Sequence, residues 1–388
     1  MNERERFNAV MHYRPVDRCP MADYGFWDET IPVWHEQGLP NEINKSNIHA
    51  FLGMDYNVDD LYDTTGVDVK WYPKFPVQII EDRGEHEIIQ QDDGVQVLQR
   101  KFMSSIPHPV KHLLSDRESW RKYYLPRLDP TTPGRYPANW EERAENWRDP
   151  NRPNLVVVRG GGLYGYLRNW MGLKTLSMVI YDDPAWFEEM VETLANCSIG
   201  TLERVLASGG TFDACAMWED MCYNSGPLIS PRHFRQYLMP HYRRITDLLH
   251  RHGVDIVFLD CDGDVSRLTP LWLEVGINTL FPFEVGTWQA DPLAYREQYG
   301  KELRIIGGFD KNILMSSPAA IEAEVHRLAP LVEEGGFIPH CDHLTPPYVP
   351  YQNYLFYLQT ARKVWGRNCN LKPMHAQIPQ NRSKEGKS

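Results

Sequence analysis

The sequence lacks the features that mark membrane and secreted proteins. Its 388 residues contain no run of about 18 consecutive apolar residues, the length that a membrane-spanning helix requires. The first residues, MNERERFNAV, carry charges where a secretory signal peptide has an apolar stretch. We therefore predict a cytoplasmic protein without a membrane-spanning segment.

Positive charge and cysteine are also scarce. The 41 Lys and Arg residues against 52 Asp and Glu give a net charge of −11, whereas a nucleic-acid-binding surface needs a basic patch. The seven cysteines are an odd number without closely spaced pairs, which argues against a disulfide framework. We expect no nucleic-acid partner, and cysteines that are buried thiols or site residues.

Apolar segments that end in chemically active side chains are the main feature that is present. Seven segments of β type each end in a charged, thiol or imidazole residue: 18–23, 155–159, 214–220, 256–262, 277–284, 303–310 and 336–342. The last four are each followed by helical periodicity, and such alternation is typical of a parallel sheet covered by helices. A (β/α)8 barrel builds its active site at the C-terminal ends of its strands. The sequence predicts an α/β fold of this TIM-barrel type and an enzyme.

The predicted barrel forms a single domain over residues 1–370, elaborated at its N-terminal end. We predict a helix over 1–12, an antiparallel meander within 55–100 and a second barrel strand near 67–72. Residues 55–150 form an insertion that covers the barrel, and the polar segment 371–388 is predicted to be disordered. Asp183 and Pro184 have the residue types that begin a helix, which we expect to continue through Leu206.

Carboxylates follow two neighbouring predicted strands. Glu219 and Asp220 end one, and Asp260 and Asp262 end the next. Side chains alternate along a strand, so Asp260 and Asp262 share a face. Two carboxylates on one face can hold a metal, or raise a pKa for acid–base catalysis. Helix capping by Asp262 or Asp264 is the alternative.

The run His340-Cys341-Asp342-His343 is the densest group of potential metal ligands. Thiolate and imidazole are preferred zinc ligands, and neighbouring strand residues cannot all bind one ion. One or two of these four residues would therefore pair with Asp260, Asp262 or Glu219 around a metal, and the candidate metal set is Asp260, Asp262, His340 and Cys341. The alternative is a hydrogen-bonded polar turn with an inert thiol.

Further residues are candidates for substrate binding. Arg159 precedes three glycines that lack the Lys-Ser/Thr of a phosphate-binding loop, so we expect a close backbone approach there, with Arg159 or Arg168 holding a carboxylate. The aromatic residues after the first strand either wall an apolar pocket or belong to the core. The full set of substrate-binding candidates is Asp23, Tyr24, Phe26, Trp27, Arg159, Arg168, Trp218, Glu284 and Asp310.

Five segments resemble proteins of the uroporphyrinogen decarboxylase superfamily. They are RERFNAVMHYRPVDRCP, EDMCYNSGPLISPRHFRQYLMPHYRRI, DCDGDVSRLTPLWLEVGINTLFPFEVG, RIIGGFDKNIL and GGFIPHCDHLTPPYVPYQNYLFYL. The resemblance covers the chain from Met1 to about Val364 and implies a (β/α)8 barrel, in agreement with the prediction from the residues.

The superfamily contains two chemistries, and this sequence is more similar to the second. True uroporphyrinogen decarboxylases have an Arg-rich motif of the type RQAGRYLPEY after the first strand, whereas residues 23–29 here read DYGFWDE. Thiol-using corrinoid-linked methyltransferases bind zinc through His-x-Cys after the fifth strand and a late Cys. Cys341 matches the late Cys, but Asp260 and Asp262 replace the His and the first Cys, which implies zinc or a harder divalent metal.

Three functions follow from the resemblance. The first is a methyltransferase that moves a methyl group between methylcobalamin, carried on a separate corrinoid protein, and a thiol or folate, with Glu219 and Asp220 in acid–base roles. The second is a cofactor-independent decarboxylase of a small carboxylated substrate, which would depend on Arg159, Arg168 or Lys311. The third is a non-catalytic corrinoid- or tetrapyrrole-binding protein. A homodimer is the default expectation for the assembly.

Overall fold

The computed structural model describes residues 1–57, 60–61, 64–101, 106–286 and 288–366, so the predicted tail 371–388 lies outside the described residues. The strands are β1 Gln78–Arg83, β2 His86–Gln90, β3 Gln96–Arg100, β4 His108–Lys111, β5 Val157–Gly161, β6 Ala214–Trp218, β7 Cys222–Tyr223, β8 Gly226–Pro227, β9 Val257–Asp260, β10 Thr279–Phe283, β11 Arg304–Phe309 and β12 Phe337–Cys341.

The α-helices lie mainly between and around these strands. They are α1 Glu3–Met11, α2 Thr30–Glu36, α3 Ile48–Leu52, α4 Arg117–Ser119, α5 Trp140–Arg148, α6 Tyr164–Met171, α7 Leu173–Asp182, α8 Pro184–Leu206, α9 Pro231–His233, α10 Met239–Arg251, α11 Thr269–Glu274, α12 Pro292–Tyr299, α13 Pro318–Glu334 and α14 Tyr351–Trp365. In the described part of the chain, no helix has the length and apolar character needed to cross a bilayer.

Six parallel strands form the wall of a (β/α)8 barrel. Their order is β12-β11-β10-β9-β6-β5, and all six coincide with segments that the sequence predicts as strands. Along each strand the side chains alternate between two apolar clusters, as a sheet that is covered on both faces requires. The interior cluster lies inside the barrel, and the outer cluster lies between the strands and the helices. Residues such as Phe258 and Ile338 fill the interior, whereas Leu259 and Cys341 face the helices.

Two extended segments complete the ring between the edge strands. Ala22 forms a parallel bridge with Tyr56, and Phe26 forms one with Thr345 beyond β12. On the other side, the Thr64 amide donates to the Val157 carbonyl over 3.3 Å. Ala22 and Tyr56 belong to the interior cluster, so these segments occupy the first two strand positions.

The predicted second strand near 67–72 is wrong. Val67, Val69 and Trp71 do alternate, but they pack in the outer cluster. The amides of Asp68 and Tyr72 donate to the carbonyls of Arg135 and Arg127, and not to a barrel strand. The alternation therefore reports a segment that is buried on one side against the 127–135 loop.

Local sequence explains the helix that closes the barrel floor. Asn2 and Glu5 form a capping box at the start of α1, which satisfies free backbone donors there. Phe7, Val10 and Met11 project from α1 into the interior cluster. The predicted helix over 1–12 is thus confirmed as the apolar plug of the floor.

The meander β1–β4 lies beside the opposite end of the barrel. Its strands are antiparallel and sequential, and a turn at Asp93 is closed by the Val95 amide over 2.9 Å. The Tyr124 hydroxyl donates to the Asp93 carbonyl, and the Trp71 indole donates to the Asp92 carbonyl. These bonds attach the 91–95 turn to the rest of the domain.

Candidate active site

Acidic side chains from several strands converge at the C-terminal end of the barrel. Asp220, Asp260 and Asp262 form one group, and Asp262, Glu284 and His343 form another; within each group the potential ligand atoms lie within 4.8 Å of one another. Asp262 belongs to both groups. We call these five residues the acidic cluster.

The register of the strands determines where the residues of the acidic cluster lie. Asp260 is opposite Trp218 on one side and opposite Phe281 on the other, and its side chain continues the inward face of Phe258. The Asp262 amide donates to Asp220 over 3.2 Å, and the Gly263 amide donates to Glu284 over 2.9 Å. The loops after β6, β9 and β10 are therefore tied together by the acids themselves.

Two features of the backbone keep the loops after β6 and β9 close together. Asp220 has φ of +40°, a conformation that costs a non-glycine residue on the order of 1–3 kcal/mol. Gly263 has φ of +97°, and a Cβ there would lie 2.7 Å from the Tyr223 amide nitrogen. Backbone strain of this kind concentrates at functional sites.

Burial and mutual repulsion raise the pKa values of the acidic cluster. Burial raises the pKa of Asp262 well above its usual range, and the charges of Asp220, Glu284 and Asp260 add to the effect. Burial raises the pKa of Glu284 to about 7, against the Gly263 amide and the Lys311 charge, which lower it. One buried oxygen of Asp262, Oδ1, has no hydrogen-bond partner among the described residues. The cluster is therefore suited to hold protons or a cation.

Two neutral groups lie beside the carboxylates: His343, a member of the acidic cluster, and Tyr24, which borders the cluster. The Nε2 atom of His343 lies 3.7 Å from Asp262, yet burial and the Lys311 charge lower the pKa of His343 to about 4. Burial, with the carboxylates nearby, raises the pKa of the Tyr24 hydroxyl. The two rings are 4.7 Å apart. At neutral pH the imidazole is uncharged and can accept a hydrogen bond or bind a metal, and the phenol remains protonated.

Lys311 and Asp342 fix the neighbouring loops. The buried Asp342 accepts the Val285 and Gly286 amides over 3.1 and 3.2 Å, and pairs with the Lys311 ammonium over 3.1 Å. The Asp342 charge raises the pKa of Lys311 although burial lowers it. Asp342 therefore joins the loops after β10, β11 and β12, and places a cation beside Glu284.

Glu219, predicted as catalytic, lies in a different environment from Asp220. Its fully buried carboxylate accepts the amides of Leu163, Tyr164 and Gly165 over 2.6 to 2.8 Å, together with the Tyr242 hydroxyl. Burial raises the pKa of Glu219 to about 7 despite these four bonds. Glu219 thus anchors the N-terminus of α6 and holds the β6 loop.

The predicted metal set is not brought together. His340 follows Ile338 on the inward face of β12, where its ring lies near Tyr24 and Phe281 and its Nδ1 bonds the Cys341 carbonyl. Cys341 points the opposite way into the outer cluster, and burial raises the pKa of its thiol. Among the described residues, the groups able to share an ion contain Asp260 and Asp262 but not His340 or Cys341.

The predicted aromatic wall is divided between two locations. Tyr24 borders the acidic cluster, whereas Phe26 packs on Trp34 and Tyr354 in the outer core, where the segment after the first strand passes beneath α14. The half-buried Trp27 donates its amide to Thr345. Of these three aromatic residues, the structure places Tyr24 at the site.

The remaining acidic candidates have local partners. The buried Asp23 pairs with His49 over 2.9 Å. Asp310 accepts the Asn312 amide over 2.8 Å and so caps the 311–315 turn, which is the capping role that acidic residues commonly have there. Both lie near the mouth but outside the acidic cluster.

The two arginine candidates lie in separate places. Arg168 pairs with Asp220 over 3.3 Å and its guanidinium is 5.8 Å from the Trp218 ring, so it borders the acidic cluster. Arg159 is buried and, with Lys70 and Lys74, lines a distinct polar pocket under the 66–70 segment. The predicted binding of a carboxylate by either residue stays a prediction.

The predicted set of site residues includes neither His343 nor Asp342. Both belong to the run at the end of β12 that was identified as rich in ligands. Their placement depends on how the chain turns after Cys341, and a linear pattern does not specify that turn. Their proximity to Cys341 in the sequence was the available signal.

The chain matches the uroporphyrinogen decarboxylase family over residues 163–364, more than half of its length. The chain belongs to the uroporphyrinogen decarboxylase family. This match includes β6 and β9–β12, and with them every residue of the acidic cluster. The site therefore lies in the part of the chain that carries the family relationship.

Individual relatives are distant. A uroporphyrinogen decarboxylase of Pelobacter propionicus is 24% identical over 195 residues, and one of Syntrophotalea carbinolica is 24% identical over 214 residues. The matches cover 49% and 54% of this chain, and 52% and 55% of the relatives, so the chain spans about half the length of the curated relatives it matches.

A solved structure extends the likeness to nearly the whole chain. A methyltransferase from Methanosarcina mazei superimposes with a TM-score of 0.54 at 15% identity, over 94% of this chain and 99% of the other. At this identity the likeness concerns the fold. The likeness in fold thus includes the N-terminal half, which lies outside the residues matched to the family.

Proposed function

We propose that this member of the uroporphyrinogen decarboxylase family is a methyltransferase that moves a methyl group between a corrinoid, carried as a substrate on a partner protein, and a small-molecule acceptor. The observation that carries the proposal is the acidic cluster, in which four carboxylates and an imidazole converge at the barrel mouth. Such a group can hold a cation or manage the proton of an acceptor.

The same charges disfavour a tetrapyrrole with many carboxylates as the substrate. The cations next to the acidic cluster are already paired, Arg168 with Asp220 and Lys311 with Asp342. The family's Arg-rich motif is replaced by residues 23–29, and Asp23 there pairs with His49. A polyanion would meet mainly carboxylates, so we expect a neutral or cationic acceptor.

The residues of the acidic cluster fit a divalent metal. Asp262, Glu284 and His343 would hold the ion, with Asp220 and Asp260 as a second group, and the unpartnered Oδ1 of Asp262 is a buried acceptor that an ion would satisfy. Oxygen donors with one imidazole suit harder ions than a thiolate set does, although zinc accepts both types. A bound ion would lower the pKa of a coordinated acceptor and favour its nucleophilic form.

The chain's own residues supply proton transfer. Without a bound ion, Glu284 has a pKa of about 7, so it is able both to take and to release a proton near neutral pH, whereas an ion held by Glu284 would keep it ionised. The protonated Tyr24 hydroxyl, next to His343, is placed to donate a hydrogen bond to a bound acceptor. Lys311, held by Asp342, supplies a fixed positive charge near Glu284.

The proposal is tested with Asp262→Asn and its matched control Asp264→Asn. Asp264 is two residues away, and its carboxylate accepts the Ser266 amide outside the acidic cluster. Loss of the methyl group from methylcobalamin is followed by absorbance with two acceptors: a neutral thiol, which the charges of the site favour, and tetrahydrofolate, whose carboxylates they disfavour. We expect at least about a 100-fold lower rate for Asp262→Asn, and a nearly unchanged rate for the control.

Metal content and binding distinguish the other outcomes. Elemental analysis of both variants should show a divalent metal that Asp262→Asn loses and Asp264→Asn retains. Methylcobalamin binding without transfer to either acceptor would favour a non-catalytic corrinoid-binding protein. Equal rates for both variants would remove the acidic cluster from the mechanism.

Decarboxylation of a smaller carboxylated substrate is the second candidate. It is favoured by Glu284, which is partly protonated near pH 7 and is therefore able to protonate a carbanion left by loss of carbon dioxide. Release of carbon dioxide from carboxylated pyrroles, without cobalamin and dependent on Glu284, would support this function over methyl transfer.

A further inference from the structure

A cleft separates the meander from the barrel mouth. Its volume is about 580 Å³, within the range of roughly 300–1,000 Å³ that is usual for small-molecule sites. The two walls come from distant parts of the chain, and both are mainly apolar. The meander contributes Val95, Val97 and Pro109, and the barrel side contributes Leu173, Trp218 and Leu228.

The barrel wall of the cleft presents a rigid aromatic surface. The Trp218 side chain is half-buried and stacks on Tyr166, with ring centroids 5.7 Å apart and 25° between the planes. Tyr166 in turn stacks on the fully buried Trp170 at 5.8 Å. Because its neighbours fix the indole, a flat ligand can pack on the cleft without first ordering this wall.

The cleft offers little positive charge. Arg168 and Asp220 form an ion pair over 3.3 Å at its inner end. Burial raises the pKa of Asp93 on the opposite wall, and this carboxyl accepts the Val95 amide within its own turn. Among the described residues that line the cleft, Arg168 is the one lysine or arginine, and its pairing with Asp220 leaves no free side chain of that kind to attract an anion. The cleft continues through Asp220 into the acidic cluster, which would repel an anion.

We propose that this cleft binds the ring of a neutral aromatic substrate, with the reactive substituent of the ring directed past Asp220 toward the acidic cluster. The inference rests on the proposed function for the identity of the reacting group, but ring binding itself is independent of it. The meander is then one wall of the substrate site. Binding selects flat apolar molecules by packing against Trp218 and excludes carboxylates by charge.

The test compares two lysine substitutions on one helix. Leu173 lines the cleft and Met178 does not, although both are exposed apolar residues of α7. Binding of methoxybenzene to the full chain is measured by saturation-transfer NMR and calorimetry. We expect Leu173→Lys to weaken binding by at least about tenfold, or about 1.4 kcal/mol, and Met178→Lys to leave it unchanged.

Two further probes sharpen the result. Benzoate, which has the same ring and a negative charge, should bind at least about tenfold more weakly than methoxybenzene, and cyclohexylmethanol, which is neutral but not aromatic, should also bind more weakly. The inference is overturned if methoxybenzene shows no saturable binding, if the two lysine variants bind it equally, or if benzoate binds as well.

These measurements use neither corrinoid nor turnover, so their failure is separable from failure of the proposed function. Asp262→Asn, which should abolish methyl transfer, should retain methoxybenzene binding, because Asp262 does not line the cleft. Loss of ring binding in that variant would mean that the cleft and the acidic cluster are not separate parts of the site.

Discussion

Buried charges are arranged differently at the two ends of the barrel: they are paired with opposite charges at the floor, whereas like charges lie together at the mouth. At the floor, Arg18 and Asp55 form a two-pronged pair, and the second carboxylate oxygen also accepts the Met21 amide. Arg152 pairs with Asp213 over 2.7 Å, and Asp213 also accepts the Val156 amide. Each of these carboxylates faces an opposite charge and backbone donors.

The mouth places like charges together. Asp220, Asp260 and Asp262 lie within 4.8 Å of one another, and Asp220 has a strained backbone. In a low-dielectric environment such proximity costs free energy unless protons or a cation intervene. The contrast teaches that the floor charges stabilise the fold, whereas the like charges at the mouth are held close together at a cost in stability.

The largest expected effect is a loss of stability when a buried carboxylate at the floor of the barrel is removed. Asp55→Ala leaves the buried Arg18 without its carboxylate, and losing one partner of a buried pair costs about 3–5 kcal/mol. Urea unfolding should show this loss in the free energy of unfolding, while the exposed Asp247→Ala on α10 changes it by less than about 0.5 kcal/mol. A small effect of Asp55→Ala would mean that the floor pair is not structural.

The pH dependence of the free energy of unfolding tests the raised pKa of Glu284 at the mouth. The pKa of Glu284 is raised from 4.5 to about 7, so the folded state favours the protonated form. Its contribution to stability is complete below about pH 4.5 and is lost as the pH rises through about 7. In the metal-free protein, Glu284→Gln should therefore flatten the decline in the free energy of unfolding across this window.

The control for the titration is Glu302→Gln, which changes an exposed carboxylate. Its pH profile of stability should follow that of the wild type. If Glu284→Gln and Glu302→Gln give the same profile, Glu284 does not carry the raised pKa, and the mouth does not store protons near neutral pH.

The smallest expected effect concerns Cys341. The thiol lies in the outer cluster, behind the strand that carries His340, so it does not reach the acidic cluster. Cys341→Ala should retain methyl-transfer activity and lower the free energy of unfolding by about 1 kcal/mol, as expected for a small core truncation. Loss of activity at unchanged stability would show instead that Cys341 acts in the site, which is the role that the family resemblance implies.

Local sequence was sufficient for most of the fold. The six parallel strands follow apolar runs, and α8 begins where Asp183 and Pro184 predict it. The error at 67–72 arose because alternation reports one-sided burial, and a segment that packs on a loop has the same pattern as an edge strand. Burial against a loop cannot be distinguished from burial in a sheet before the chain is folded.

The candidate site was also predictable in part, because local sequence decides on which face of a strand a side chain lies. Alternation along β9 is a local property, and it places Asp260 and Asp262 on one face. The same rule places His340 and Cys341 on opposite faces, so the predicted metal set, which contains both, is not brought together at one ion. Glu219 and Asp220 are adjacent in the sequence, yet one anchors a helix and the other joins the acidic cluster.

The sequence by itself determined which ionisable residues stand at the ends of strands, because strand length and alternation depend on neighbouring residues. The tertiary structure alone decided which of them meet. Asp262, Glu284 and His343 approach because ring closure and three loop paths bring separate strand ends together. It also decided that Glu219 receives three backbone amides while Oδ1 of Asp262 receives none, since the donors come from elements that are distant in the chain.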